Sequence, residues 1–200
     1  VTELKQLNNK AIRKEVSFDI PKFMKNEVQE TLTGAQKGTV LHLCMQKLEI
    51  GKEYNIEEIK ELINNLKERE IITKLEAESV NINAILKFTK SKIWEELKNA
   101  KEIHREESFY MTIPAKEIYN KELDEKIVVQ GIIDLYYINS NNELVLLAYK
   151  TDYVENGEEE LIKKYNNQLQ LYKKALESSL NKKVDKVYIY STYLGKEIKI

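Results

Sequence analysis

The sequence of 200 residues predicts an α/β fold in which helices pack on a sheet, and three observations predict it. Residues 1–100 carry apolar side chains at helical spacing, residues 101–200 hold runs rich in Ile, Val and Tyr, and one long amphipathic segment interrupts those runs. Helices, three strands, a helix and then further strands are not the order of a helical bundle. The length suits a single domain over residues 1–200, in which a mainly helical region precedes a sheet core.

The spacing of apolar residues justifies the helices of the first half. One helix over residues 38–48 and another over residues 55–66 each have an apolar stripe. A further helix begins at Ser91, and shorter helical pieces lie between Arg69 and Lys90. The first stripe consists of Leu41, Cys44, Met45 and Leu48, and the second of Ile56, Ile59, Leu62, Ile63 and Leu66. Both patterns are typical of helices that bury one face.

The second half begins with a strand over residues 108–113 that ends at Pro114. Residues 126–138 and 143–151 are two further apolar runs, and the four polar residues 139–142 between them are typical of a turn. The two runs therefore predict a hairpin. The remaining predicted elements are a helix over residues 158–179, a strand over residues 186–191 and a short strand after Gly195.

Two charged residues interrupt the predicted hairpin. Asp134 lies inside one apolar strand and Lys150 ends the next, and a buried charge costs free energy unless it is paired or binds a cation. Pairing of Ile138 with Leu144 across the turn sets the register. Asp134 then falls opposite Ala148, and Lys150 lies one step further on the same face. The two charged residues therefore form either a buried ion pair or part of a site.

Two helices carry polar residues beside their apolar stripes. His42 is in line with Gly38 on its helix, and a glycine there lets another backbone or a ligand approach closely. Gln168 lies at the edge of the stripe of the long helix, close to the line of Tyr172. A purely structural role fits each residue as well, as a flanking histidine or a tolerated glutamine. The long stripe consists of Leu161, Tyr165, Leu169, Tyr172 and Leu176.

Four segments, taken together and in this order, resemble the motifs of the RecB-type branch of the PD-(D/E)xK nucleases. The segments are Gly38-x-x-x-His42, Gly131-Ile132-Ile133-Asp134, Tyr149-Lys150-Thr151-Asp152 and Gln168-x-x-x-Tyr172. Residues 1–5, 105–109 and 190–197 resemble helicase-nuclease members of that branch in finer detail. The resemblance implies a restriction-endonuclease-like core, with a mixed central β-sheet flanked by helices and an N-terminal helical region.

The resemblance also implies a metal site and its residues. A divalent cation held there would stabilise the attacking and leaving oxygens of a phosphodiester, and oxygen-rich ligands suit Mg²⁺ or Mn²⁺. The implied set is His42, Asp134 and the backbone carbonyl of Tyr149 as metal ligands, Lys150 with Asp134 and Gln168 as catalytic residues, and Gln168 with Tyr172 at the nucleic acid.

The sequence departs from the family pattern at Ala148. The family has an acidic residue two positions before the lysine, and alanine cannot bind a cation. Asp152 lies two residues past the lysine, too far to take that place. The implied site is one carboxylate short, so we expect Mg²⁺ or Mn²⁺ to be weakly bound or absent and the variant to be inactive. Our hypothesis is a deliberate Asp→Ala replacement at position 148, and a natural loss is the alternative.

The implied function is a DNA nuclease domain, exonuclease or endonuclease, acting on single strands in double-strand-break repair and recombination. It would be a fragment of a larger cytoplasmic helicase-nuclease, and its partners would be a helicase motor in the same polypeptide and a second helicase-nuclease subunit. Cys44 is the single cysteine and suits a reducing compartment, and no apolar run approaches the ~18 residues of a membrane span. The alternatives are a non-catalytic DNA-binding or subunit-docking module with a degenerate nuclease site, and a helical protein-interaction domain.

The charge composition limits how such a domain would bind DNA. Lys and Arg number 32 against 33 Asp and Glu, which excludes binding driven by a bulk basic surface. Residues 101–150, which hold most of the predicted hairpin, carry 6 basic and 9 acidic residues and are the most acidic quarter of the chain. A nuclease that relies on a metal and an attached motor needs no large positive field, so we expect the isolated domain to bind DNA weakly.

Overall fold

A computed structural model of the chain describes residues 31–114 and 126–200. Within those residues, five helices are followed by three strands, a long helix and two strands, which confirms the predicted order. Residues 1–5, whose sequence contributed to the family resemblance, lie outside the described residues. In the two described ranges no helix is long and apolar enough to cross a membrane.

The first five helices begin at side chains that cap their first turns. They are α1 (Gly34–Gln46), α2 (Ile56–Glu68), α3 (Lys74–Ser79), α4 (Ile82–Phe88) and α5 (Lys92–Lys98). A Ser, Thr or Asn side chain before each helix accepts a hydrogen bond from a backbone N–H of its first turn, and Ser91 does so for α5 as predicted. The stripe of α1 is buried throughout, whereas Ile56 of the α2 stripe is 43% exposed. Ile56 is the first residue of its helix and extends beyond the core.

A five-stranded mixed sheet forms the centre of the fold. Its strands, in spatial as well as chain order, are β1 (Glu102–Pro114), β2 (Lys126–Ile138), β3 (Leu144–Lys150), β4 (Lys186–Ser191) and β5 (Lys196–Lys199). Only β3 and β4 are parallel, and the long helix α6 (Glu158–Leu180) connects them. The predicted hairpin, the long helix and the last two strands are therefore confirmed.

Strand β1 begins six residues earlier than the sequence predicts. Glu102 already pairs with Ile138, so the charged residues that precede Ser108 belong to the strand. β1 lies at the edge of the sheet, where charged side chains reach solvent without a desolvation cost. An apolar pattern is therefore absent from this half of the strand although the strand itself is present.

Helices cover both faces of the sheet. Helices α1–α5 pack on the face to which Leu147 and Tyr149 contribute, and α6 packs on the face of Leu146 and Ala148. All five residues of the predicted α6 stripe are buried in that second layer. Every residue of β3 is buried, so its carboxyl end is the place where both layers and the neighbouring strands meet.

Candidate active site

The hairpin register brings Asp134 to the carboxyl end of β3. Ile138 pairs with Leu144 as predicted, and the ladder runs as far as Leu135 and Leu147. The next position holds a side-chain contact, since Oδ2 of Asp134 accepts a hydrogen bond from the backbone N–H of Tyr149 at 2.8 Å. Strand β2 therefore separates from β3 at Asp134 and continues beyond it with β1.

His42 approaches this carboxylate from α1. Its Nδ1 atom lies 4.0 Å from Oδ1 of Asp134, and its ring contacts the ring of Tyr149 edge to face at 5.7 Å. Burial lowers the pKa of His42, the charge of Asp134 opposes this shift, and Lys150 lowers the pKa further. The imidazole is therefore neutral at pH 7, so its contact with Asp134 is not an ion pair there. A neutral imidazole is the form that binds a metal ion.

Two contacts fix α1 against the end of β3. A Cβ atom at Gly38 would lie 2.8 Å from Oγ1 of Thr151, so the close approach that the sequence predicts is made to a threonine side chain. At the other end of α1, the Arg105 guanidinium donates to the carbonyl oxygens of Gln46 and Leu48. Cations at a helix C-terminus satisfy its last carbonyls and its dipole, so β1 and β3 both hold the helix that carries the histidine.

Lys150 ends β3 on the α6 side and is 9% exposed. Its Nζ atom lies 3.3 Å from Oε1 of Gln168 and 4.4 Å from the centre of the Tyr165 ring. Nε2 of Gln168 in turn donates to the hydroxyl of Tyr172 at 2.8 Å. Burial is the main cause that raises the pKa of Tyr172 to about 12, so its hydroxyl keeps its proton at pH 7. The structure thus joins the lysine to the glutamine and tyrosine of the long helix.

Ala148 lies between these groups and is completely buried in the α6 layer. The nearby carboxylate of Asp152 is engaged elsewhere, since it accepts hydrogen bonds from Nζ of Lys164 and the hydroxyl of Tyr165. Burial alone would raise the pKa of Asp152, but these two donors outweigh it and lower the pKa. Asp152 is therefore bound to its own partners and does not replace a carboxylate at position 148.

The donors at this end of the sheet suit a hard divalent cation but are few. They are the Asp134 carboxylate, the neutral His42 imidazole and the Tyr149 carbonyl. Because the N–H of Tyr149 points to Asp134, the carbonyl of the same strand residue faces that side as well. Among residues 31–114 and 126–200, no group of three or more His, Cys, Asp and Glu side chains is placed to hold a metal ion. The donor chemistry fits Mg²⁺ or Mn²⁺, with a single carboxylate in the set.

Glu106 is a second acidic residue that sequence reasoning did not single out. It lies opposite Asp134, at a step where the β1–β2 ladder passes from Arg105 to Glu107, and its φ is +54°. Burial raises the pKa of Glu106, and the charge of Asp134 raises it further. The residue stands in a run of charged residues, so nothing in the sequence distinguishes it from its exposed neighbours. A positive φ at a non-glycine residue is uncommon and marks a constrained position.

Comparisons with known proteins agree on one family. The family model of the PD-(D/E)XK nuclease superfamily matches residues 17–198. An AddA-type ATP-dependent helicase/nuclease protein of Clostridium novyi (strain NT) is 40% identical over 212 residues, covering 100% of this chain and 17% of that protein. The protein of the same name from Thermoanaerobacter sp. (strain X514) is 40% identical over 210 residues, covering 98% and 17%. The one from Clostridium kluyveri is 44% identical over 166 residues, covering 80% and 13%.

These relatives are far longer than the present chain, which spans 13% to 17% of the three proteins just named. Among solved structures, "Crystal structure of SSO0001" gives a TM-score of 0.37 at 13% identity, covering 83% of this chain and 75% of that chain. That similarity is too low to bear on the site. The family assignment rests on the match to the superfamily model.

Proposed function

This chain belongs to the PD-(D/E)XK nuclease superfamily, and from that premise we propose that it is the metal-dependent nuclease domain of an ATP-dependent helicase/nuclease. The proposed reaction is hydrolysis of phosphodiester bonds in single-stranded DNA, by exonuclease or endonuclease action, in double-strand-break repair and recombination. One observation carries the proposal. The Asp134 carboxylate, bound to the Tyr149 amide and 4.0 Å from Nδ1 of His42, stands beside Lys150 at one end of the sheet.

The relatives suggest the setting in which the domain would act. Because each relative carries the name of a helicase/nuclease and is several times longer, we propose a helicase motor in the same polypeptide. A second, AddB-like protein would complete an ATP-dependent complex that works in the cytoplasm. The motor would hold and deliver the strand, so the nuclease domain needs no basic surface of its own, which agrees with its nearly balanced charge.

The metal-binding part of the mechanism falls to three donors. Asp134, neutral His42 and the carbonyl of Tyr149 would hold Mg²⁺ or Mn²⁺. Such a cation polarises the scissile phosphodiester and stabilises the charge that develops on its oxygens. Burial keeps the histidine in its neutral, metal-binding form at pH 7. The amide of Tyr149 keeps the carboxylate of Asp134 in one orientation, which is the role of groups that surround a metal ligand.

Three further side chains would act on the DNA and the attacking water. The Lys150 ammonium, placed by Gln168, would orient the water or a phosphate oxygen. Tyr172 accepts a hydrogen bond from Gln168, so the proton of its own hydroxyl is directed elsewhere and suits donation to the DNA backbone. Gln168 thus places both groups at once.

The experiment that tests the function restores the missing carboxylate. We expect Ala148→Asp to cleave end-labelled single-stranded DNA in Mg²⁺, while the parent chain and the matched polar variant Ala148→Asn are slower by roughly 100-fold or more. EDTA and the double variant Ala148→Asp/Lys150→Ala should both abolish the cleavage. A folded Ala148→Asp protein that leaves the DNA intact would reject the nuclease proposal. Equal cleavage by the parent chain would reject the role given to position 148.

A non-catalytic DNA-binding or subunit-docking module is the second candidate, and one observation favours it. The methyl group of Ala148 is fully buried with apolar neighbours, so the core is complete without a carboxylate. A module of that kind has no use for a cation. It therefore predicts that restoring the acid leaves the protein without metal-dependent stabilisation.

A further inference from the structure

Two exposed tyrosines meet beside the candidate active site. Tyr153 follows β3 and Tyr193 follows β4, and their side chains are 65% and 49% exposed. Their rings are in contact edge to face, with centroids 4.9 Å apart and an interplanar angle of 65°. In this arrangement the edge of one ring meets the face of the other, and aromatic surface of both remains open to solvent. The pair is therefore a small aromatic surface at the carboxyl end of the parallel strands.

The backbone around Tyr153 is anchored although its ring is exposed. Before it, the carboxylate of Asp152 is held by Lys164 and Tyr165. After it, Val154 is 4% exposed and packs in the α6 layer. The two neighbours face inward and hold the ring outward, so its exposure is imposed by the fold.

Tyr193 is anchored in a comparable way and is linked to the site lysine. The N–H of Thr192 donates to the carbonyl of Lys150 at 2.9 Å, and Thr192 itself is 7% exposed. On the other side, the N–H of Leu194 donates to Oγ of Ser191 at 3.1 Å. The tight turn that carries Tyr193 is thus bonded directly to the strand end that places Lys150.

The two rings lie a short distance from the candidate metal site. Lys150 pairs with Ser191, so both strands end at the same edge of the sheet. Tyr153 comes three residues after Lys150, and an extended chain of that length spans at most about 11 Å. Lys87 of α4 adds a positive charge here, because its side chain packs against Gly195 in the turn after β4. Aromatic surface, a cation and the site therefore adjoin one another.

We propose that Tyr153 and Tyr193 form a platform on which a base of single-stranded DNA stacks while the adjoining phosphate lies at the site of Asp134, His42 and Lys150. This inference rests on the proposed nuclease function and adds a base-binding subsite to it. Stacking suits the composition of the chain, because it needs no basic surface and tolerates any base. It also requires an unpaired strand, since the bases of a duplex present only their edges.

Fluorescence anisotropy tests the platform in the metal-free parent chain, where no cleavage occurs under the proposal. A short labelled oligo(dT) is compared with a strand of equal length whose central nucleotides are abasic. We expect Tyr153→Ala and Tyr193→Ala each to weaken oligo(dT) binding by roughly 5- to 100-fold, and to leave binding of the abasic strand unchanged. Tyr153→Phe should keep the affinity, because the ring is retained.

Matched controls separate stacking from unfolding and from general surface effects. Tyr110 is 73% exposed on β1, on the face of its strand opposite Phe109, and Tyr110→Ala should leave oligo(dT) binding unchanged. Melting temperatures check that each variant is folded. Tyr153→Leu and Tyr193→Leu keep the apolar bulk and should still lose affinity for oligo(dT).

Several outcomes would overturn the platform. These are unchanged oligo(dT) affinity in both alanine variants, equal losses for oligo(dT) and the abasic strand, and no detectable binding of oligo(dT) by the parent chain. A loss of binding to a protein partner without a loss of oligo(dT) binding would assign the pair to protein docking instead. The nuclease proposal is judged separately by cleavage with Ala148→Asp, so either idea can fail while the other stands.

Discussion

Single side chains decide what the end of β3 can do. The carboxylate of Asp134 accepts the Tyr149 amide and faces His42, so one carboxylate is bound firmly in the place where a cation needs it. The methyl group of Ala148 supplies nothing to a cation, and Asp152 is engaged by Lys164 and Tyr165. Chemistry at this site is therefore limited by one missing acid rather than by a wrong arrangement of the others.

Glu106 provides a prediction about pH at this scale. Its pKa is raised above the ordinary value of 4.5, so the folded state disfavours its charged form. The stability it contributes is complete below about pH 4.5 and is lost as the pH rises through its pKa in the folded protein. In EDTA at pH 7, Glu106→Gln should therefore raise the melting temperature, and the difference should vanish in acid.

Melting temperatures of the parent chain and Glu106→Gln between pH 4 and pH 8 check this expectation. Glu107→Gln, an exposed change at the next position, is the control and should not stabilise the protein at pH 7. A lower melting temperature of Glu106→Gln at pH 7 would show that the carboxylate has a stabilising partner.

At the scale of elements, the hairpin was the most predictable feature and its partner strand the least. Four polar turn residues and two apolar runs were enough to predict the pairing of Ile138 with Leu144, which the structure confirms. The early start of β1 escaped prediction because an edge strand tolerates charge and so lacks an apolar pattern. The constrained backbone of Glu106 escaped it as well, since a positive φ at a non-glycine residue leaves no trace in composition.

The packing of α1 on β3 yields a prediction from Gly38. Replacing glycine by alanine inside a helix normally stabilises by about 1 kcal/mol. At Gly38 the new Cβ atom would lie 2.8 Å from Oγ1 of Thr151, a contact that forces a shift in a short branched side chain. We therefore expect Gly38→Ala to lower the melting temperature, and Gly38→Ala/Thr151→Ala to recover most of the loss.

A control in the same helix makes this result specific. A Cβ atom at Gly34 would have no neighbour within 4 Å, so Gly34→Ala should not destabilise the protein. If Gly38→Ala stabilises the protein as an ordinary helix substitution does, α1 lies further from β3 than described. His42 would then be less firmly placed against Asp134.

The whole molecule places its site by topology. Helices cover both faces of the sheet, and the parallel strands β3 and β4 end at one edge, where groups from α1, β2, β3 and α6 converge. Ligands of open α/β sheets commonly bind beyond the carboxyl ends of strands. The order of elements, the mixed sheet and the two helical layers followed from the sequence and its family resemblance. The tyrosine platform did not, because it depends on two turns that are distant in sequence and meet only in the fold.

The most direct test of a metal site that lacks one carboxylate is the melting temperature of the parent chain and Ala148→Asp, each in EDTA and in Mn²⁺. In EDTA, Ala148→Asp should melt no higher than the parent, because it buries a second carboxylate near Asp134. Mn²⁺ at about 100 times its dissociation constant should then raise its melting temperature by roughly 5 to 10 °C, and that of the parent by less. Adding Asp134→Asn to Ala148→Asp should remove the gain. Equal melting temperatures of parent and Ala148→Asp in both solutions would contradict the metal site and favour a non-catalytic module.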